Sequence, residues 1–228
     1  MKYMDEKKIK ITVIKHLVTK EKHFIVVPEI GLGNIFANTR GLVRADIFVV
    51  NGYISIYEIK SEKDSLKRLD KQIEHYKKYA NYVNIVLAEK FLDKIDTIDK
   101  DVGIYALKNK SMELIRKPKF LELSLEAYLS YWWGSELKKL FRGCKGSNTL
   151  RYEEGIKKLK STLSPEQIKN LTLFRLKERY QEESDAIKEA IATKNYDALF
   201  PKREYKKNIK VTPLKDIPFG VINPICHI

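Results

Sequence analysis

The sequence has few cysteines, few histidines and no long apolar run. It contains two cysteines, Cys144 and Cys226, and four histidines among 228 residues. None of them has the spacing of a zinc-ligand motif, so the pattern argues against a disulfide framework and a structural zinc site. No stretch approaches the roughly 20 apolar residues that a membrane-spanning helix requires. We therefore expect incidental thiols and no membrane partner.

The N-terminal residues lack the pattern of a secretory signal. The first ten, MKYMDEKKIK, are charged and lead directly into an amphipathic segment. A signal peptide would show an apolar core of about 7–15 residues there. We expect a cytoplasmic protein.

Negative charge is scarce relative to positive charge. The chain has 44 Lys plus Arg and 30 Asp plus Glu, a formal net charge of +14. The excess is spread along the chain, so no basic tail explains it. It is compatible with a solvated lysine-rich surface, and equally with a polyanionic partner whose phosphates the cations would neutralise.

Apolar periodicity in the first half of the chain predicts an α/β unit. Helical spacing and alternating or β-branched runs distinguish helices from strands. The predicted helices are 5–19, with Asp5 as its cap, and 64–80. The predicted strands are 23–28, 43–50, 53–60, 82–88, 102–107 and 112–115, with a Gly/Asn-rich loop at 31–41.

The chain becomes helical after Pro118. Apolar spacing predicts helices over 121–142 and 150–161, and Ser164-Pro165-Glu166-Gln167 is a start signal for another. Trp132 and Trp133 fall on the apolar face, which favours a core role over base stacking. The predicted domains are an α/β domain at 1–117, a helical region at 118–200 and an irregular tail at 201–228.

Two neighbouring strands carry the residues that point to chemistry. Asp46 interrupts an apolar run, and Glu58-Ile59-Lys60 follows on the next strand after the hairpin signal Asn51-Gly52. Glu58 and Lys60 are two apart and share a strand face. Asp46 and Glu58 with the Ile59 carbonyl would hold Mg²⁺ or Mn²⁺, and Lys60 would orient a water. The alternative is an exposed strand end with Asp46 paired to Arg44 or unpaired.

The length of the hairpin connection decides whether such a site can form. A two-residue turn at Asn51-Gly52 would put Asp46 on the opposite sheet face from Glu58 and Lys60. An odd-numbered connection, such as Val50-Asn51-Gly52 with Gly52 left-handed, would place all three on one face. The metal chemistry therefore predicts the odd connection.

The order of these elements over residues 5–90 resembles the core of the PD-(D/E)XK nuclease superfamily, although Ala45 stands where its proline would be. More closely, the run from Glu58 to Tyr76, with Glu29 upstream, is similar to a little-characterised family of bacterial and phage proteins in that superfamily. The resemblance implies a restriction-endonuclease-like core, a mixed sheet flanked by helices. It also implies a metal-facing Glu6, with Glu29 as a further candidate ligand, and supporting residues Gln72 and Tyr76.

Each accessory residue has an ordinary structural alternative. Glu6 could be a first-turn acid, Glu29 a solvent-facing strand end, and Gln72 with Tyr76 a helix-face pair. A basic run near the predicted site would contact phosphates or form a solvated helix face. Its members are Lys63, Lys67, Arg68 and Lys71.

Together these features predict an Mg²⁺- or Mn²⁺-dependent deoxyribonuclease, with endonuclease preferred and RNA not excluded as substrate. The helical region would bind substrate, a partner or a second copy to give a homodimer. Two alternatives stay open: a catalytically silent nucleic-acid-binding module of the same fold, and a basic protein-interaction adaptor.

Overall fold

The computed structural model describes residues 6–20, 24–32, 43–108, 111–200 and 210–222. The described residues divide into two compact units. The first comprises those up to 123 together with 180–200, and the second comprises 124–179 with 210–222. Within these ranges, no helix is long and apolar enough to cross a membrane.

The first unit contains a six-stranded mixed sheet, which confirms the α/β class. Its strands are adjacent in chain order. They are β1 (Ile25–Leu32), β2 (Val43–Val50), β3 (Ile54–Lys60), β4 (Tyr82–Ala88), β5 (Gly103–Lys108) and β6 (Ser111–Arg116). The pairs β1–β2, β2–β3 and β5–β6 are antiparallel, and the pairs β3–β4 and β4–β5 are parallel.

The helices of this unit are α1 (Glu6–Lys20), α2 (Leu69–Lys77) and the C-terminal part, 180–192, of a longer helix, with 3-10 segments at Glu89–Thr97 and Tyr196–Leu199. Helix α1 confirms the predicted first helix, and its buried face carries Ile9, Val13, Ile14 and Leu17. The predicted start of α2 at Asp64 is wrong. The Asp64 carboxylate accepts hydrogen bonds from the Ser61 backbone N–H at 2.7 Å and from its hydroxyl at 2.5 Å. This local turn competes with helix formation, so α2 begins at Leu69.

The second unit is helical. It contains α3 (Leu125–Ser130), α4 (Gly134–Leu140), α5 (Tyr152–Thr162), the first part of α6 (Pro165–Ala192) and α7 (Phe219–Ile222). The single predicted helix at 121–142 is wrong. Trp133 has extended backbone angles, φ −98° and ψ 147°, and its N–H donates to the Glu136 carboxylate at 3.1 Å. The apolar period continues through the break, which is why the sequence pattern missed it.

The start of α6 and the core around Trp132 agree with the sequence. The Ser164 N–H donates to Gln167 Oε1 at 2.8 Å, and the Gln167 N–H donates to Ser164 Oγ at 3.3 Å, a reciprocal capping box. Trp132 is 2% exposed and its indole N–H donates to Thr172 Oγ1 at 2.9 Å. Asp5, most of the predicted loop at 31–41, and Cys226 lie outside the described residues.

Candidate functional site

The β2–β3 hairpin has the odd-numbered connection that the chemistry requires. Val50 pairs with Ile54 and Ile47 pairs with Tyr57. The loop is therefore 51–53, which is one residue later than the predicted loop Val50-Asn51-Gly52. Gly52 is left-handed, with φ 69°. Continuing this register by one residue sets Asp46 opposite Glu58. The prediction that Asp46, Glu58 and Lys60 share one sheet face is confirmed.

The Glu58 carboxylate is held from three directions. Lys60 Nζ and Gln72 Nε2 each donate to Glu58 Oε1 at 2.7 Å, and the Tyr76 hydroxyl lies 2.5 Å from Oε2. Gln72 Oε1 also accepts from Lys60 at 2.8 Å, and Glu58 is 4% exposed. Gln72 and Tyr76 lie one turn apart on α2, so the sequence-predicted pair closes over the acid. Burial, and then the Glu58 charge, raise the pKa of Tyr76 well above its ordinary value.

Asp46 lies beside Glu58 but has different partners. Its Oδ2 accepts the Ile59 N–H at 2.8 Å, and its Oδ1 lies 3.2 Å from Lys10 Nζ. Burial is the largest influence on this carboxyl, and the negative charge of Glu58 is the next. Together they outweigh the effect of Lys10 and raise the pKa of Asp46 to about 6. The exposed strand-end alternative is wrong, since Arg44 pairs with Glu29 at 3.1 Å instead.

Sequence reasoning missed Lys10. Its ammonium donates to Glu6 at 2.6 Å and to Glu29 at 2.8 Å, and lies 3.2 Å from Asp46, while the residue is 3% exposed. Burial alone would lower the pKa of Lys10, but these carboxylates outweigh it and the pKa is raised. A signal was present, because Lys10 follows Glu6 by one helical turn and falls on the buried face with Val13.

Glu29 extends the acids into a row across three strands. Pro28 pairs with Ile47 and Ile30 with Ala45, so the same register sets Glu29 opposite Asp46. Glu29 has φ 56°, a left-handed conformation that costs a non-glycine residue on the order of 1–3 kcal/mol. Glu29 on β1, Asp46 on β2 and Glu58 on β3 form what is called here the acid row.

The residues present fit a divalent cation with oxygen ligands. Among the described residues, no group of three or more His, Cys, Asp or Glu side chains is arranged to hold a metal ion. Mg²⁺, however, is commonly bound through one or two carboxylates and keeps several waters. Asp46 and Glu58 supply two carboxylates close enough to repel, with the Ile59 main chain between them. Glu6 and Glu29, the other candidate ligands, each accept a hydrogen bond from Lys10.

A basic segment runs up to and into the first turn of α2, next to Gln72 in sequence. Its four side chains are exposed, and none forms an ion pair with a carboxylate of the described residues. The basic segment consists of Lys63, Lys67, Arg68 and Lys71. The segment therefore presents four exposed positive charges.

A comparison with protein families identifies the group to which the chain belongs. Residues 1–199 match the family model described as bacteriophage P4 protein cII. The chain belongs to this family. A similar protein, protein cII of Enterobacteria phage P4, is 33% identical over 150 residues, which are 62% of this chain and 56% of that protein. The match thus spans little more than half of this relative's length.

A solved structure shows a weaker likeness. It is a protein of unknown function from Silicibacter pomeroyi, 18% identical, with a TM-score of 0.42, covering 56% of this chain and 80% of that one. A likeness at this level carries no argument about function. The functional argument therefore depends on the side chains of the site itself.

Proposed function

We propose that the protein is a metal-dependent nuclease that hydrolyses phosphodiester bonds in DNA, in the cytoplasm, through a restriction-endonuclease-like core. The observation that carries the proposal is the shared face of Asp46, Glu58 and Lys60, with Gln72 and Tyr76 bound to Glu58. Three donors fix the orientation of the buried Glu58 carboxylate. A carboxylate preorganised in this way can hold a metal ion, and that ion would stabilise charge on a reacting phosphate.

Each side chain has a role in this chemistry. A divalent ion, when bound, stabilises charge on the scissile phosphate and lowers the pKa of a water. Asp46 and Glu58 would hold that ion, with the Ile59 carbonyl. Lys60 donates to Glu58 at 2.7 Å and is placed to donate to the attacking water or to a phosphate oxygen. Gln72 and Tyr76 fix the orientation of Glu58.

The charge of the molecule supports a polyanionic substrate. The net charge is +14, and the basic segment offers four exposed cations close in sequence to Lys60 and Gln72. Phosphate contacts of this kind give affinity without sequence specificity. We propose DNA as the substrate and endonucleolytic cleavage as the mode. A second copy bound through the helical region is the proposed protein partner, which sedimentation at two concentrations would test.

A cleavage assay tests the proposal directly. The protein is incubated with supercoiled, linear and single-stranded DNA and with RNA, each with Mg²⁺, Mn²⁺ or EDTA. We expect nicking and linearisation of supercoiled DNA with either metal, and none in EDTA. Asp46→Asn and Glu58→Gln should be inactive with unchanged circular dichroism. Asp70→Asn, an exposed acid on α2, serves as the control and should retain activity.

Two results would contradict the nuclease assignment. Cleavage in EDTA would show that no divalent ion is needed. Full activity of both site variants would show that the reaction occurs elsewhere. Preferred cleavage of RNA would keep the mechanism and change the substrate.

One observation favours a second function, a silent nucleic-acid-binding module of the same fold. Both central acids already have an ammonium partner, Lys10 at 3.2 Å from Asp46 and Lys60 at 2.7 Å from Glu58. Salt-dependent DNA binding with no cleavage in any metal would establish this alternative. Salt-resistant capture of a protein would favour the adaptor instead.

A further inference from the structure

Lys10 has surroundings that the proposed reaction does not explain. It is 3% exposed, and carboxylates from α1, β1 and β2 lie within 3.2 Å of its Nζ. Lysine is almost never fully buried unless it is paired. Its place at the centre of Glu6, Glu29 and Asp46 is therefore a built feature of the fold.

The two buried lysines neutralise different parts of the acid row. Neighbouring strands lie about 4.7–4.9 Å apart, so Glu29, Asp46 and Glu58 form a compact run of anions. Lys10 contacts Glu29 and Asp46, and Lys60 contacts Glu58. Asp46 is the middle member of the row, with an acid on the strand to either side and Lys10 at 3.2 Å.

Acceptor capacity limits what else the row can bind. An ionised carboxylate has about four acceptor positions. Glu58 accepts from three side chains, and Asp46 accepts the Ile59 N–H and faces Lys10. The acceptor positions that remain on the Asp46 and Glu58 carboxylates are enough for one metal ion. Glu6 and Glu29 accept from the Lys10 ammonium at 2.6 and 2.8 Å, closer than Asp46 at 3.2 Å, so the repulsion of a metal ion by Lys10 is strongest at those two acids.

The backbone at Glu29 gives independent support. A left-handed conformation at a residue other than glycine persists only where the surroundings over-determine it. Glu29 has φ 56°, and its carboxylate bridges Lys10 at 2.8 Å and Arg44 at 3.1 Å. The strained residue thus belongs to the contacts that hold Lys10.

We infer that Lys10 is a positioning residue that supplies the second cation of the acid row, so that the protein binds one divalent ion, at Asp46 and Glu58. Two-metal sites place a second ion about 3.5–4 Å from the first. Here the Lys10 ammonium, 2.8 Å from Glu29 and 3.2 Å from Asp46, supplies the positive charge that a second ion would bring to these two acids. This inference rests on the proposed function, because it concerns the same metal site.

Counting bound ions tests the inference without using activity. The full chain is titrated with Mn²⁺, free Mn²⁺ is measured by electron paramagnetic resonance, and thermal unfolding is followed in Mn²⁺ and in EDTA. Lys10→Met should bind one more ion than the wild type. In EDTA its Tm should fall by on the order of 10 °C, because three carboxylates lose their cation, and Mn²⁺ should restore most of it.

Two further variants separate a cation effect from a packing effect. Lys10→Arg keeps the charge and should bind as many ions as the wild type. Lys8→Met removes an exposed charge from the same helix and should change neither the ion count nor the response of Tm to Mn²⁺.

Several results would overturn the inference. They are a Lys10→Met variant that binds no additional Mn²⁺, a Lys10→Arg variant that binds one more ion, and a Lys10→Met variant that fails to fold in both Mn²⁺ and EDTA. Failure of the proposed function would look different. The wild type would then cleave nothing in any metal while still binding one Mn²⁺, and Lys10→Met would still bind one more ion. A wild type that binds no Mn²⁺ would overturn the inference as well.

Discussion

Each of the two units buries a cluster of charged side chains, and the two clusters differ in their balance. In the second unit, Glu136 is 0% exposed and pairs with Arg175 at 3.1 Å and with Arg179 at 2.5 Å. Glu178 also binds Arg175, which makes two acids and two bases. The Trp133 N–H adds a further donor to Glu136 at 3.1 Å.

The first unit has an acidic excess instead. Four carboxylates, those of Glu6 and the acid row, face the two buried ammoniums of Lys10 and Lys60 and the largely exposed Arg44. One negative charge remains even when Arg44 is counted. The repulsion shows at Asp46, whose pKa is raised to about 6, first by burial and then by Glu58. The contrast teaches that a buried cluster of charged side chains does not by itself indicate a functional site. A cluster with an excess of negative charge, however, is a place where a cation would be stabilised.

The largest expected effect is on the balanced cluster. Glu136→Gln removes the carboxylate that two buried guanidiniums share, and removal of one member of a buried ion pair costs about 3–5 kcal/mol. We expect a loss of this size in the free energy of urea unfolding. Asp46→Asn is the comparison, since Lys10 keeps Glu6 and Glu29, and it should cause no loss in EDTA. Equal losses in the two variants would remove the distinction between the clusters.

The next effect concerns turnover at the acid row. Lys60→Met should lower the cleavage rate by about 10²–10³-fold, the usual result of removing one group that stabilises transition-state charge. It removes one positive charge of many, so DNA affinity and its salt dependence should barely change. Single-turnover cleavage in Mg²⁺ and fluorescence anisotropy in Ca²⁺ measure the two separately. Lys138→Met, an exposed lysine of the second unit, is the control, and a parallel loss of binding and cleavage in Lys60→Met would make Lys60 a phosphate clamp.

Local signals explain what the sequence could predict. The β-branched runs and Asn51-Gly52 located the hairpin, and the requirement for an odd connection correctly placed Asp46 on the face of Glu58. Glu58-Ile59-Lys60 and Glu136-Leu137-Lys138 have the same pattern. The predicted strand context of the first and the helical context of the second distinguish them. The structure agrees, because Glu136 pairs with two arginines of α6.

The errors and omissions come from contacts that are distant in sequence or from local competition. Lys10 looked like one of many lysines, because two of its partners, Glu29 and Asp46, lie on other elements. Glu29 has a left-handed backbone conformation, which a glycine usually marks in a sequence, and this position is not a glycine. At α2, the turn formed by Ser61 and Asp64 delayed a helix whose apolar spacing begins earlier.

A smaller effect is expected from pH. The pKa of Asp46 is raised from 3.8 to about 6 in the folded state, so its ionisation destabilises the fold above pH 6. This penalty disappears as the pH falls from about 6 towards 4. It amounts to on the order of 1–3 kcal/mol. Asp46→Asn should therefore exceed the wild type in urea stability at pH 7.5, and the gap should close by pH 4.5. Saturating Mg²⁺ at pH 7.5 should also close it, and a gap that widens on acidification would contradict the charge assignment.

The smallest expected effect concerns the basic segment. It tests whether these exposed positive charges contribute to DNA binding beside the acid row. Glutamine at all four positions of the basic segment should reduce the slope of log affinity against log salt by up to about 3.6, from roughly 0.9 per phosphate contact. The control replaces four exposed cations of the second unit, Lys138, Arg142, Lys145 and Lys157, by glutamine. Both variants lose the same charge, so a difference in slope reports location rather than net charge. Equal slopes would show that DNA responds only to the overall field of the protein, and the basic segment would then be an ordinary solvated surface.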